Sequence, residues 1–283
     1  MNNHRPRARS ASVRVPSSSA FQRTIYRHYR TAGRNLPWRQ TKDPYAILVS
    51  EVMLQQTQVS RVLPKYKAFL KRFPTLRSLA QAPRSDVLRL WQGLGYNRRG
   101  KVLHDTARLL AKDHEGKIPK DAPVLQTFPG IGPYTASAVC VFAFNKPEVM
   151  IETNIRTVFI HFFFSGRKKV HDAELAPLIE KTMDSKNPRR WYSALMDYGA
   201  YLKESGKKLN AKSAHYVRQT PFRGSRRELR GLLVRLASRK KGATMYEAKR
   251  ASGRAQKEIL TEIDTLVSEG LLAFRKGKIT LPA

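Results

Sequence analysis

Residues 128–136 read FPGIGPYTA and contain two glycines separated by one isoleucine, with a helix expected directly after them. Pro129 opens the turn, and Gly130, Ile131 and Gly132 make it tight. Backbone N–H groups in such a turn point outward at the start of a helix, where a phosphate can bind. The pattern is weak when it stands alone, because many turns between helices have the same composition. Its interpretation therefore depends on the segments around it.

The segments on either side of this turn have a helical pattern. From Phe21 to about Ala200, apolar residues recur every three or four positions, and prolines and glycines mark the breaks. No convincing alternation of apolar and polar residues indicates a strand in this range. The sequence therefore predicts an all-α fold for a domain at residues 21–202.

The last part of the chain follows a different pattern. Ser225–Glu228 and Thr244–Glu247 each have the sequence of a capping box, in which a hydroxyl and a carboxylate satisfy N–H groups at a helix start. A third helix is expected from about Ala255, and LLAFRKGKITL (residues 271–281) indicates two short strands around a basic turn. These elements predict a winged-helix-like module at residues 223–283. A helical cap that only stabilises the first domain is the alternative.

Charge indicates the class of partner. The 283 residues include 54 lysines and arginines against 21 aspartates and glutamates, which gives a formal net charge of +33. Such an excess favours nucleic acid, which binds basic proteins with release of counterions. A ribosomal or membrane-surface protein has a similar charge. Residues 203–222 are polar and basic and are expected to form a linker or an arm that lies along phosphates.

Residues 1–20 are rich in arginine and serine and contain no acidic residue, which predicts a disordered basic arm, with a transit peptide as the alternative. No stretch approaches the ~18 apolar residues of a membrane span, and no secretory signal is recognised. A cytoplasmic, nucleoid-associated protein without a membrane partner is expected. The single cysteine, Cys140, excludes an intrachain disulfide and a cysteine-ligated metal cluster, and it is expected in the core.

Residues 50–59 read SEVMLQQTQV and place one carboxylate in an apolar run. Asp43, which precedes a proline, is a typical N-cap, and the helix is expected to continue through this stretch. At about 100° per residue, Glu51 then lies in the middle of the apolar face, with Gln55 and Gln58 on the same side. Burial favours the protonated form of a carboxyl group, as a general acid requires. A structural glutamate that caps a helix or pairs with an arginine is the alternative.

Five motifs occur in the order and approximate spacing of one protein family. They are LPWR (36–39), SEVMLQQTQ (50–58), WQGLGYNRRGKVLH (91–104), FPGIGPYTA (128–136) and LMDYGA (195–200). Over about residues 25–202 the chain resembles the helix–hairpin–helix (HhH-GPD) DNA glycosylases, and it is most similar to the MutY-type adenine DNA glycosylases. The run SEVMLQQTQ is specific to that branch. The resemblance implies two helical subdomains and hydrolysis of the N-glycosidic bond of a base flipped out of duplex DNA.

The resemblance also implies roles for individual residues. Glu51 corresponds to the general acid that protonates N7 of a purine and so makes the base a neutral leaving group. Gln55, Gln56 and Tyr96 would fill or flank the gap left by the extruded base; a polar helix face and a core tyrosine are the alternative interpretations. The other residues implied to contact DNA are Arg39, Gly130, Ile131, Gly132, Thr135 and Arg156. The resemblance allows one cofactor, a monovalent cation bound at the hairpin.

The chain also departs from the family. Bifunctional relatives carry a lysine nucleophile after the hairpin, where this chain has Tyr134, which cannot form a Schiff base. Glu152, followed by Asn154, stands where the family has an aspartate near the sugar. Residues 203–218, KESGKKLNAKSAHYVR, replace the four-cysteine loop, so no iron–sulfur cluster is expected. The family's C-terminal β-rich domain is replaced by the predicted winged helix. Tyr134, Glu152 and Asn154 join Glu51 as candidate catalytic residues.

The sequence therefore predicts a monomeric, monofunctional DNA glycosylase of base excision repair, without AP-lyase activity. Its partner is expected to be double-stranded DNA with a mispaired or damaged base, and its target adenine opposite guanine or oxidised guanine. Removal of uracil or thymine from mismatches is one alternative. A non-catalytic DNA-binding protein is the other, which the altered Glu152 and the winged helix permit.

Overall fold

A computed structural model describes residues 16–282. Helices dominate it, as predicted, and none of the helices in this range is long and apolar enough to cross a bilayer. The helices are α1 (Ser18–Ala32), α2 (Pro44–Leu54), α3 (Val59–Arg72), α4 (Leu76–Gln81), α5 (Arg84–Trp91), α6 (Arg98–Asp113), α7 (Ala122–Gln126), α8 (Pro133–Phe144), α9 (Thr153–Phe163), α10 (Asp172–Thr182), α11 (Pro188–Glu204), α12 (Arg226–Ala237), α13 (Met245–Ser252) and α14 (Gln256–Ser268). The strands are β1 (Ala243–Thr244), β2 (Ala273–Arg275) and β3 (Lys278–Thr280), and 3-10 helices cover Pro37–Arg39 and Leu209–Lys212.

The described chain forms two compact units, of which the first combines the residues up to Arg34 with Ile151–Val217. Its helix α1 packs on α10 and α11, and α9 packs along α11. Phe21 makes edge-to-face contacts with Phe159 and Trp191 in the core. Aromatic pairs of this kind contribute about 0.5–1.5 kcal/mol beyond the burial of their area.

The second unit combines residues 35–150 with the described residues from Arg218 onward. Asp43 caps α2 as predicted, because its carboxylate accepts hydrogen bonds from the N–H groups of Tyr45 and Ala46. α2 is buried over nearly its whole length and packs against α3, α6 and α8. A charged residue in the middle of α2 therefore cannot avoid burial.

Residues from Ser225 onward form the predicted C-terminal module. Its elements follow the order α12, β1, α13, α14, β2, β3, and its antiparallel sheet has the strand order β1–β3–β2, which is the arrangement of a winged helix. Thr244 and Glu247 form the expected capping box at α13. Lys276 and Gly277 have the positive φ angles that a two-residue hairpin turn requires.

The core of this module is continuous with the rest of its unit. Leu88 of α5 belongs to the same apolar cluster as Leu233, Ile263 and Ile279 of the module. Truncation of the chain before the module would therefore expose Leu88, so single substitutions test the module's function more cleanly than a deletion.

Two stretches differ from the predicted arm and linker. The hydroxyl of Ser17 accepts a hydrogen bond from the N–H of Ala20 and starts α1 at Ser18, inside the predicted arm at 1–20; residues 1–15 lie outside the described range. α11 runs to Glu204, into the predicted linker at 203–222. The remaining domain boundaries stay predictions.

Part of the predicted linker is anchored by main-chain contacts. The 3-10 helix Leu209–Lys212 packs on α9. The N–H of Val170 donates to the carbonyl of Lys212, and its own carbonyl accepts from the N–H of Ala214, each at 2.9 Å. Composition predicted a linker or a phosphate-binding arm here, because main-chain pairing with a distant loop leaves no mark in a basic sequence.

Candidate active site and nucleic-acid interface

The turn between α7 and α8 has the geometry expected of the hairpin. Gly130 has a φ of +74°, and a Cβ there would lie 2.2 Å from Cγ1 of Val102, so the turn requires glycine. The hydroxyl of Thr106 donates to the carbonyl of Pro129 at 2.7 Å and anchors the turn to α6. Gly132 is the N-cap of α8, and no described side chain caps this helix start. Such a helix start favours an anion.

Two of the predicted DNA contacts in the hairpin have buried side chains. Ile131 anchors the turn in the core, and the hydroxyl of Thr135 accepts a hydrogen bond from Nε2 of Gln55 at 3.2 Å. Their side chains therefore face the protein, and only their main chain can serve a phosphate. The buried side chain of Ile131 holds the turn in place between its two exposed glycines.

Glu51 lies on α2 where the sequence placed it, and only 6% of the residue is exposed. Its Oε2 accepts a hydrogen bond from the hydroxyl of Tyr134 at 3.1 Å. Because Tyr134 lies in the first turn of α8, the start of the hairpin helix adjoins the candidate acid. The phenol orients the carboxyl group, and a carboxyl held in this way can deliver a proton to a base.

α2 ends at Leu54, earlier than predicted, because Arg99 takes carbonyl groups that a longer helix would use. Its guanidinium donates to the carbonyls of Val52 (2.8 Å), Met53 (3.1 Å) and Gln55. In a continuing α-helix, the first two carbonyls would accept from the N–H groups of residues 56 and 57. The prediction that one helix carries both Glu51 and Gln58 was therefore wrong.

Arg99 joins this helix end to the loop before α6. Its guanidinium also donates to Oγ1 of Thr57 at 3.0 Å and lies over the rings of Trp91 and Tyr96. Burial lowers the pKa of Arg99 to about 10. Sequence reasoning missed this residue, since two adjacent arginines do not reveal which one points inward. The available signal was Gly100, where a Cβ would lie 2.7 Å from the Trp91 ring.

We expect Arg99→Lys to lower the free energy of unfolding by about 1.5–3 kcal/mol, the usual value of a hydrogen bond to a charged group. A lysine keeps the charge, but its single ammonium group cannot donate to all the acceptors that the planar guanidinium of Arg99 reaches. Urea unfolding measures the effect, and Arg98→Lys at the exposed neighbouring position is the matched control. Equal stability of the two variants would contradict the anchoring role.

Gln56 and Tyr96 are exposed residues with strained backbones. Their φ angles are +52° and +46°, in the left-handed region that residues other than glycine rarely adopt. Tyr96 is 39% exposed, although sequence alone also allowed a core position. Strain of this kind persists only where the surrounding structure imposes it, and it is common at functional sites. Both residues adjoin the loops that Arg99 fixes.

Glu152 begins α9 in the first unit. Its carboxylate accepts hydrogen bonds from the N–H groups of Asn154 (2.8 Å) and Ile155 (3.0 Å), and from Nδ2 of Asn154 at 3.2 Å. Burial raises the pKa of Glu152, against the opposing effect of these N–H groups and of Arg156. Glu152 is thus an N-cap, and a carboxylate with roughly four acceptor sites keeps one for another positive group.

Arg156 was assigned to DNA, but its guanidinium forms a bidentate ion pair with Asp172, with both distances at 2.7 Å. The hydrogen bonds with Asp172 raise the pKa of Arg156 above its ordinary value. Two guanidinium N–H groups of Arg156 that could bind a phosphate are therefore bound to a carboxylate of the same unit. The sequence did not reveal this pairing, because Asp172 follows a loop whose path is not predictable from local pattern.

We expect Gly199→Ala to destabilise the protein by about 1–3 kcal/mol, the usual cost of overpacking. Gly199 belongs to the LMDYGA motif on α11, and a Cβ there would lie 2.5 Å from the carbonyl oxygen of Asn154. Gly231→Ala is the control, since its Cβ would meet nothing within 4 Å and a helical alanine stabilises by about 0.5–1 kcal/mol. Thermal unfolding compares them, and equal midpoints would contradict the close approach of α11 to α9.

Two further predicted residues, Arg39 and Cys140, lie in the second unit. Arg39 is half-buried in the 3-10 helix that precedes α2. Cys140 is buried in α8, as expected. Within residues 16–282 no group of three or more histidine, cysteine, aspartate or glutamate side chains is arranged to hold a metal ion.

The amino-acid sequence is similar to those of known adenine DNA glycosylases. An adenine DNA glycosylase of Mycobacterium tuberculosis is 46% identical over 131 residues, which are 46% of this chain and 43% of that protein. One from Buchnera aphidicola is 36% identical over 187 residues, 64% of this chain and 52% of that protein. The chain thus spans about half the length of the curated relatives it matches.

A solved structure supports the fold. A thermostable thymine-DNA glycosylase is 29% identical, with a TM-score of 0.59 over 65% of this chain and 86% of that one. The profile of the HhH-GPD superfamily base excision DNA repair proteins matches residues 49–181, from α2 with Glu51 through the hairpin to α10. The chain is therefore similar to the HhH-GPD superfamily base excision DNA repair proteins over residues 49–181, and to adenine DNA glycosylases over the segments given above.

Proposed function

We propose that the protein is a monofunctional DNA glycosylase of base excision repair that removes adenine mispaired with guanine or oxidised guanine. The observation that carries the proposal is the buried carboxyl group of Glu51 next to Tyr134 at the start of the hairpin helix. The similarity to adenine DNA glycosylases over the same segment supports the choice of adenine. Double-stranded DNA would be the partner, in agreement with the net charge of +33, and the protein would act as a monomer in the cytoplasm.

The reaction divides between the base and the sugar. Glu51 donates its proton to N7 of the flipped adenine, so that the base leaves as a neutral molecule. The glycosidic bond electrons move to the base, and a water molecule adds to the sugar and gives up a proton, which the ionised Glu51 can take back. Glu152 supplies negative charge that favours the oxocarbenium-like sugar, as carboxylates do in glycoside hydrolysis. Tyr134 holds Glu51 in position.

One prediction concerns the product. Because Tyr134 stands where a lysine nucleophile would be needed, the protein should leave an intact abasic site. Product strands should break only after treatment with alkali, and borohydride should trap no covalent complex. A trapped adduct would show that another amine performs a lyase reaction, and the monofunctional assignment would be withdrawn.

A panel of duplexes tests the proposal. Single-turnover excision is measured with adenine, uracil, thymine, hypoxanthine or an alkylated base placed opposite each of the four bases and 8-oxoguanine. Fastest removal of adenine opposite guanine or 8-oxoguanine is expected. Removal of no base from any duplex that the protein binds would leave a non-catalytic DNA-binding protein.

Thymine opposite guanine is the second candidate substrate. The structural similarity to a thymine-DNA glycosylase, 86% of which is covered, favours it. A pyrimidine leaving group has no N7, so Glu51 would then orient the base by hydrogen bonding instead of protonating it. The same panel decides between the two, since faster loss of thymine than of adenine opposite guanine would select this candidate.

A further inference from the structure

Two residues near the start of the C-terminal module reach the strained residues of the candidate DNA interface. Nε2 of Gln219 lies 3.1 Å from Oε1 of Gln56 and 3.2 Å from Oη of Tyr96. Nη1 of Arg227 donates to the same Tyr96 hydroxyl at 3.0 Å, and its Nη2 donates to the carbonyl of Thr220 at 2.6 Å. All five residues belong to the second unit.

A continuous series of contacts links this cluster to the hairpin. Thr135, in the first turn of the hairpin helix, bonds to Gln55, whose chain neighbour Gln56 bonds to Gln219. Gln219 then bonds to Tyr96. The cluster is therefore linked, through the buried hydroxyl of Thr135, to the helix that follows the turn proposed to hold a phosphate.

The charge of Arg227 distinguishes it from the other arginines at the start of α12. Arg226 and Arg230 both form ion pairs with the buried carboxylate of Glu262, at 2.5 Å and 2.8 Å. Arg227 forms no ion pair with a carboxylate in the described chain and is held by the neutral oxygens of Tyr96 and Thr220. Its positive charge is thus uncompensated, and its orientation is fixed.

We propose that Gln219 and Arg227 determine which base is accepted opposite the excised one, with preference for guanine and its oxidised form. This rests on the proposed function and on the role that the family resemblance implies for Gln56 and Tyr96, which is to border the gap left by the flipped base. The base opposite that gap has an unpaired edge. A guanidinium offers only donors and pairs best with the O6 and N7 acceptors of guanine. The Nε2 group of Gln219 donates to Gln56 and Tyr96, so its amide oxygen adds an acceptor. In oxidised guanine N7 carries a hydrogen, which this oxygen can accept while the guanidinium keeps O6.

Binding measurements test this without any chemical step. Duplexes carry a tetrahydrofuran abasic analogue opposite guanine, 8-oxoguanine, cytosine or thymine, and dissociation constants are measured for the full-length protein. The wild type should prefer the two purines by roughly tenfold to a hundredfold, the effect of one good bidentate contact. Comparison of the dissociation constants for guanine and 8-oxoguanine shows which of the two bases is bound more tightly.

Three variants separate base recognition from charge. Arg227→Lys keeps the charge but loses the planar fork, and Gln219→Ala removes the amide; both should lose most of the preference. Arg235→Ala, at an exposed position of the same helix, should weaken binding to all duplexes and keep the preference. An equal affinity of the wild type for all four duplexes, or an unchanged preference in both Arg227→Lys and Gln219→Ala, would overturn the proposal. Because no excision is measured, failure of the glycosylase assignment would leave this test intact.

Discussion

Glu51→Gln is expected to abolish measurable excision, with a loss of roughly 10²–10⁴-fold in the single-turnover rate, because general acid catalysis contributes about that much. Glutamine has nearly the same shape, and its amide oxygen can still accept the hydrogen bond from the Tyr134 hydroxyl. Folding and DNA affinity should therefore change little. Only the transferable proton is lost.

A matched control separates this chemistry from the loss of a buried carboxyl group. Glu262 in the C-terminal module is as buried as Glu51, with 4% of the residue exposed, and it pairs with arginines. Glu262→Gln should lower stability but leave the excision rate at saturating protein nearly unchanged. If Glu51→Gln excises at the rate of the wild type, Glu51 is a structural residue.

Glu152→Gln should slow the chemical step by about 3–4 kcal/mol, or roughly 10²–10³-fold, as loss of a transition-state electrostatic partner does. The amide oxygen of glutamine can still accept from the N–H groups of Asn154 and Ile155, so the cap of α9 is kept. DNA binding and the unfolding midpoint should change far less than the rate. Glu152→Asp keeps charge and cap on a shorter side chain, and its rate should lie between those of the wild type and Glu152→Gln.

The pH dependence provides an independent check on this carboxylate. Burial raises the pKa of Glu152, so it takes up a proton above the ordinary glutamate value of 4.5 as pH falls. Since only the ionised form favours a positive sugar, the wild-type rate should fall on the acid side at a higher pH than an exposed glutamate would give. Glu152→Gln should lack this fall. Wild type and Glu152→Gln with equal rates would show that Glu152 is only a cap.

The parts of the site that sequence predicted correctly depend on local rules. Asp43 before a proline fixed the start of α2, and helical periodicity placed Glu51 on its buried face. The two glycines of the hairpin predicted a tight turn, and Gly130 is required there by both its φ and the approach of Val102. Capping sequences gave the starts of α12 and α13, although at α12 the carboxylate of Glu228 accepts from the N–H of Gly224 and does not complete the predicted box with Ser225. Each of these features is encoded within a few residues of its position.

The parts that sequence missed depend on partners far apart in the chain. Arg99 ends α2 by binding carbonyls 44 to 47 residues earlier, which no local pattern reveals. Asp172 forms an ion pair with the guanidinium of Arg156. Gln219 forms a hydrogen bond with Gln56, which lies 163 residues earlier in the chain. The catalytic role of Glu152 stays a prediction, and its hydrogen bonds to the start of α9 appear only in the fold. Long-range polar contacts are therefore what the sequence could not supply.

The most direct test of the central claim is release of free adenine from duplex DNA under single-turnover conditions, detected by mass spectrometry. Duplexes with adenine opposite guanine, 8-oxoguanine or thymine are compared for the wild type and Glu51→Gln. The account predicts free adenine from the guanine and 8-oxoguanine duplexes, in amounts equal to the alkali-labile abasic sites, and none from the thymine duplex or with Glu51→Gln. Bound duplex that releases no adenine with the wild type, or equal release by Glu51→Gln, would contradict it.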